Sequence, residues 1–274
     1  GTSTRAQLEE LRRERKDAIR GTRQEVREIR AKVREENSKE RKELKSQVRS
    51  LKVDRRLEIH ALQRQFHANA SSSATSSPST RLELRRAIQE KKVEFHQSVQ
   101  TLRKAVREEV QARKEERNEM VKEEREELRE QLQTIRDERK RLSVQNIAER
   151  LDALNDRMIE HFESMIDRLE NIALKIDSRA DEMEADGHNV SRARTALGAA
   201  EDLIDDAREL LVAQASKTYP INVTDEEHLR ENVSAAREAL HKDLARIRQT
   251  LRDAHQALGD ASFALHNATS TPST

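Results

Sequence analysis

The chain has 274 residues, of which 53 are Lys or Arg and 52 are Asp or Glu, with five Gly, three Pro, one Tyr and neither Trp nor Cys. With 34% hydrophobic and 2% aromatic residues it suits long solvated helices rather than a large globular core or an enclosed catalytic cavity, and without Cys it holds no disulfide, thiolate metal site or cysteine nucleophile. The formal net charge of +1 conceals a division: residues 1–142 carry 38 basic and 27 acidic side chains (net +11), residues 143–274 carry 15 and 25 (net −10).

Thr4 and Gln7 have capping-box spacing, and helix formers run from there to about residue 67 with Gly21 the only glycine. The apolar stripe of this first helix (Leu8, Leu11, Ile19, Val26, Ile29, Val33, Leu44, Val48, Leu51, Ile59, Leu62, Phe66) is thin, with Arg15, Asn37 and Arg55 falling into it. Residues 68–80 hold six serines and no charge, a composition that reads as a flexible linker. Thr80 and Glu83 form a second capping box, from which one helix is expected over 81–185, closed by Gly187 as a C-terminal cap. Over 81–142 this helix is highly charged, its seam interrupted by Arg113, Arg117 and Arg125, and it matches the first helix in length. The two can fold as an antiparallel helical hairpin or stay apart as solvated single helices.

Beyond residue 142 the apolar stripe widens enough to face two neighbours. Leu151, Leu154, Met158, Leu169, Ile172 and Ile176 form its seam, with Ile147, Met165 and Met183 in line and Ile159, Phe162 and Ile166 broadening it. A helix over 191–216 places Leu197, Ile204 and Leu211 on one Ala-lined side, and an extended loop over 217–224 containing Pro220 follows. Thr224 and Glu227 then open the last helix, whose seam of Leu229, Val233, Leu240, Leu244, Ile247, Leu251 and Leu258 alternates three- and four-residue steps. The expected fold is all-α: long charged helices followed by an elongated three-helix bundle. Its divisions are 1–67, the linker 68–80, 81–142, the acidic bundle 143–266 and a disordered tail 267–274.

Nothing in the pattern carries chemistry. The nine histidines lie at 60, 67, 96, 161, 188, 228, 241, 255 and 266, no two of them four apart on one helix, and there is no HExxH, phosphate-binding glycine loop, nucleophile elbow or EF-hand loop. Asp202, Asp205 and Asp206 read as a solvated acidic face. No catalytic, cofactor-binding or metal residue is assigned, no cofactor or small-molecule substrate is expected, and no apolar run of about 18 residues is present to span a membrane. The basic residues of 1–142 are interleaved with Glu and lack aromatic platforms, so nucleic acid or another polyanion is the second expectation for a partner. Five Asn stand in N-x-Ser/Thr triplets (Asn69, Asn189, Asn222, Asn232, Asn267), and helix-capping or linker roles account for most of them.

The stretch 178–258, with its SRAD segment and Gly187 turn, VAQASKTYPINVT and AAREALHKDL, resembles a group of uncharacterised, predicted-exported helical proteins of candidate-phylum bacteria, and RLDALNDRMIEHFESMIDRLENIALKI before it extends the resemblance over about 147–266. The group has no assigned activity and supplies no catalytic residues. Its members usually begin with a signal peptide, which this chain does not show at Gly1. The resemblance implies an extracytoplasmic or secreted location, with the cytoplasm as the alternative. Together these readings give a non-catalytic structural or protein-interaction element, coiled-coil-like, of the cell envelope or extracellular space, that self-associates or meets a charged protein partner.

Overall fold

The computed structural model describes residues 32, 35, 38, 39, 42, 43, 45–61, 64, 65, 78–186, 188–223 and 225–270. Among them every regular element is an α-helix and no strand occurs, so the protein is all-α. The chain separates into two compact units, 1–105 and 106–274. This division falls inside the second charged helix and not at 142, where the charge balance changes sign, because the ion pairs described below draw the end of that helix into the second unit.

In the first unit, helix α1 (45–61) packs on the beginning of α2 (Pro78–Leu132). Ile59, Phe95, Val99 and Leu102 are buried, the Arg55 guanidinium lies 4.7 Å from the Phe95 ring centroid, and Lys91 Nζ meets Glu58 at 3.0 Å. Partners 58 with 91 and 55 with 95 run in opposite senses, so the two segments are antiparallel. Helix α2 begins at Pro78, three residues before the expected start, and Thr80 therefore lies inside its first turn. Proline suits that position because the first turn has no use for its missing N–H.

The expected continuous helix over 81–185 is broken. Helix α2 ends at Leu132, residues 133–137 turn, and α3 runs over Glu138–Ala185. No Gly or Pro marks the break. The N–H groups of Gln133, Thr134 and Ile135 bond back three residues at 3.1–3.2 Å, Leu132 and Ile135 are buried, and Asp137 Oδ1 accepts from the N–H groups of Arg139 (2.9 Å) and Lys140 (3.3 Å). Two buried side chains and one N-cap thus make the turn.

In the second unit α3, α4 (Ser191–Ala215) and α5 (Leu229–Ser270) each pack against the other two. The inward line of α3 is Leu151, Asn155, Ile159, Phe162, Ile166, Leu169, Ala173, Ile176, Ala180 and Met183. It is rotated from the expected seam: Leu154 and Met158 are half-buried and Ile172 is 40% exposed. The expectation favoured the larger Ile172 over Ala173 and passed over polar Asn155; both lines keep three- and four-residue steps, and the one that is buried runs through Asn155 and Ala173. On α4, Leu197, Ile204 and Leu211 are buried between Ala193, Ala200 and Ala207; on α5, Leu229, Leu240, Leu244, Ile247, Leu251 and Leu258 are buried with Ala236, Ala254 and Ala261, while Val233 is half-buried. The alanines alternating with large residues on α4 let its neighbours approach closely.

Candidate functional site

Basic side chains of α2 and carboxylates of α3 form a ladder of ion pairs. Arg107 meets Glu163 (3.5 Å) and Asp167, Lys114 meets Glu160 (3.0 Å) and Asp156 (3.9 Å), Arg117 meets Asp156, and Arg125 meets Asp152 (2.8 Å). The order is antiparallel. Along α2 these bases stand beside the buried Val106, Val110, Val121 and Leu128, so an apolar strip and a row of cations face an acidic helix together. Exposed pairs of this type contribute about 0–1 kcal/mol each. Arg117, only 2% exposed, is different, because a desolvated guanidinium without its carboxylate would be strongly destabilising. Burial raises the carboxyl pKa of Asp152 against the opposing hydrogen bond from Arg125, and that of Glu163 against the charge of Arg107.

A strap over 216–228 ties the helices together. Its residues alternate, with Tyr219, Ile221 and Val223 buried and Pro220 and Asn222 exposed, the period of extended chain. Gln214 Nε2 donates to Asn155 Oδ1 and to Tyr219 Oη, both at 2.8 Å; Tyr219 Oη donates to Asp243 Oδ2 at 2.8 Å, where Lys217 Nζ also arrives at 2.8 Å. Thr218 Oγ1 donates to Glu124 (2.6 Å), and the Val223 N–H donates to Gln131 Oε1 (2.8 Å). The strap therefore bonds to side chains of α2, α4 and α5, and Asn155 of α3 reaches the Lys217 carbonyl at 3.4 Å. Burial pushes the Tyr219 hydroxyl far above the usual phenol range. Burial also works upward on Asp243, but the hydrogen bonds from Lys217 and Tyr219 outweigh it and hold the carboxyl below its ordinary value. Glu124 is raised, by burial first, against its bond from Thr218 and with help from the neighbouring Asp152, Glu127 and Glu123 charges.

Between α3 and α4, Arg194 gathers Asp177 (2.6 Å), Asp181 (2.5 Å) and Glu184 (3.1 Å), and Arg208 joins Glu170 to Asp205. Two of the clefts in this unit bear on the contacts between helices. One of about 630 Å³ lies where α3 and α5 begin, with Val144, Ile147, Leu229 and Val233 below Lys140 and Arg230. The other, of about 370 Å³, lies along the ladder and is lined by Arg117, Asn118, Lys122, Arg125, Asp152 and Asp156. Among the described residues no group of three His, Asp or Glu is placed to hold a metal ion, and no helix is long and apolar enough to cross a membrane.

Of the expected turn residues, Pro220 lies exposed in the strap, while Gly187 and Thr224 fall outside the described residues. Asp225 takes up the start of α5, its Oδ1 accepting from the N–H groups of Glu227 (3.0 Å) and His228 (2.9 Å). At the start of α4 the Asn189 Oδ1 accepts from the Ser191 N–H (3.1 Å) and hydroxyl (2.7 Å), so Ser191 is the first helical residue and not the cap. Asn155, Gln214, Tyr219 and Asp243 went unrecognised in the sequence. Their signals were a polar residue four before Ile159 on the apolar line, and the alternation of Tyr219, Ile221 and Val223 in a segment without helical period. No protein-family model, curated protein or solved structure matches the chain.

Proposed function

We propose that this chain is a structural and protein-interaction element without catalytic activity, in which helices set distance and charge directs association. The observation that carries the reading is the ladder from Arg107 to Arg125: a row of four basic side chains on α2 meets carboxylates of α3, so the two helices are fastened along their sides by charge rather than shaped around a pocket. Helix α3 alone, 48 residues at 1.5 Å each, is about 72 Å long, a span suited to spacing partners. The same complementarity presented by one copy to another gives association that salt weakens. An extracytoplasmic setting rests on the resemblance of 178–258 to exported helical proteins. Polyanion binding through 1–142 stands second, because Arg107, Lys114, Arg117 and Arg125 already meet carboxylates. Light scattering between about 20 mM and about 500 mM salt tests the proposal. A mass that falls towards that of one chain as salt rises supports it; the mass of a single chain at every salt concentration rejects charge-driven association.

A further inference from the structure

The cleft where α3 and α5 begin is the open end of a longer feature, a basic groove between these two helices. Its walls there include Ser143 and Ile147 of α3 and Arg230, Ser234 and Arg237 of α5. Steps of three, four and seven residues keep to one face of a helix, so the α3 wall continues through Arg150, Arg157, His161 and Arg168, and the α5 wall through His241, Arg248 and Arg252. All of these side chains are exposed. Neither line contains Asp or Glu: the α3 carboxylates that pair with another helix go to Arg107 and Arg125 of α2 and to Arg194 and Arg208 of α4, and on α5 Glu231 and Glu238 stand one residue further round. At the foot of the groove Glu226 is taken by Lys140 at 2.5 Å, and Glu227 is the other carboxylate in the lining. Among the described residues the wall arginines form no ion pair; Arg157 reaches only the Ala153 carbonyl, at 3.3 Å. Leu154, Met158 and Ile172 lie between the α3 arginines and the buried line, and give the groove an apolar floor.

We propose that this groove receives the outer face of α4 from a second copy of the chain. That face, turned away from the buried Leu197, Ile204 and Leu211, carries Thr195, Ala199, Asp202, Asp206, Glu209 and Ala213, all of them exposed. It has acids at its centre, small residues at either end and no Lys or Arg. A slim acidic ridge fits between two rows of guanidinium groups, and the alanines let the backbones come close. The spacing agrees as well: Asp202 and Glu209 are seven residues apart, the interval between Arg150 and Arg157 and between Arg230 and Arg237, about 10 Å along each helix. Because the two joined faces differ, the contact is heterologous and adds copies head to tail rather than closing within a pair. The inference rests on the reading that charge directs association, and gives that association its surface.

Sedimentation velocity of the full chain over a range of concentrations at about 20 mM salt provides the test. The wild type should associate. Arg150→Glu combined with Arg237→Glu reverses one charge on each wall at exposed positions, and should weaken the association at least about tenfold by bringing like charges together. Asp206→Lys combined with Glu209→Lys should weaken it likewise, and an equal mixture of the two variants should recover it, since each then offers the other an opposite charge. Should the α4 variant fail to fold, the groove variant decides alone. A groove variant that associates as tightly as wild type overturns the proposal and leaves charge-driven association standing, whereas a wild type that stays a single chain at every concentration overturns both. A mixture of folded variants that recovers nothing overturns it too, as does a short DNA duplex that binds the wild-type chain, but not the groove variant, more tightly than a second copy does.

Discussion

Replacing Tyr219 by Phe removes one oxygen and leaves the ring in place, so it isolates the polar centre of the strap. Two bonds are lost: the donation to Asp243, and the acceptance from Gln214, whose amide is 1% exposed and keeps only Asn155. A bond to a charged acceptor contributes about 1.5–3 kcal/mol, and a donor orphaned in the interior costs about 1–3 kcal/mol. Asp243 retains Lys217 at 2.8 Å and part of its solvent exposure, which offsets some of the loss. The expected destabilisation is about 3 kcal/mol, or a fall of roughly 6–12 °C in melting temperature for a unit of this size. Urea and thermal unfolding followed by circular dichroism would measure it, and a double-mutant cycle with Asp243→Ala should return a coupling of at least about 1 kcal/mol. A loss smaller than about 0.5 kcal/mol, the range of ordinary surface substitutions, would refute the idea that the strap is fastened here. Tyr219 is the only tyrosine, so the phenolate absorbance reports this site alone. Its raised pKa means the folded chain holds the proton more tightly than the unfolded one. That stabilisation is complete below an unfolded pKa of about 10 and is lost as pH rises towards the folded value, so phenolate should appear together with alkaline unfolding and not before it.

Glu124, Asp152 and Glu163 have carboxyl pKa values raised by burial, so the folded chain takes up their protons first and their contribution to stability grows as pH falls from neutrality through those values. Glu124→Gln, which still accepts from Thr218, should raise the melting temperature at pH 7 and flatten its dependence towards acid; a lower melting temperature with an unchanged slope would contradict this. Asp137→Ala should cost about 0.5–2 kcal/mol through loss of the α3 cap, with Asp137→Ser recovering most of it in the same denaturation assay. The rotated seam of α3 predicts opposite outcomes at two isoleucines: Ile159→Ala should cost about 2–5 kcal/mol, whereas Ile172→Ala should cost under about 1 kcal/mol. Equal losses at the two would restore the seam through Leu154 and Ile172.

The helices were legible because apolar residues recur at three- and four-residue steps, a signal that survives a high charge content. The places where that signal failed share a cause: polar side chains standing in for apolar ones. Arg55, Arg113, Arg117 and Arg125 look like gaps in a stripe, yet Arg55 covers the Phe95 ring, Arg113 joins Glu109 at 2.7 Å, and the other two reach across to α3. Arg113 has its partner one turn back on its own helix, but for Arg55, Arg117 and Arg125 the partner lies on another helix, of which periodicity within one helix holds no record. Asn155 was passed over for the same reason, since its place on the core line depends on Gln214, which lies on another helix. The turn at 133–137 was hidden differently. It has no backbone breaker, only Leu132, Ile135 and an aspartate among many charged residues, and the burial that bends it exists only once α2 and α3 lie together.

A short run of extended chain that bonds at once to α2, α3, α4 and α5 behaves as a keystone. Severing it at the exposed Pro220 or Asn222 would leave each rod intact while depriving the assembly of its shared fastening, so a protease arriving there could dismantle the tertiary order of 106–274 with a single cut and without touching one helix.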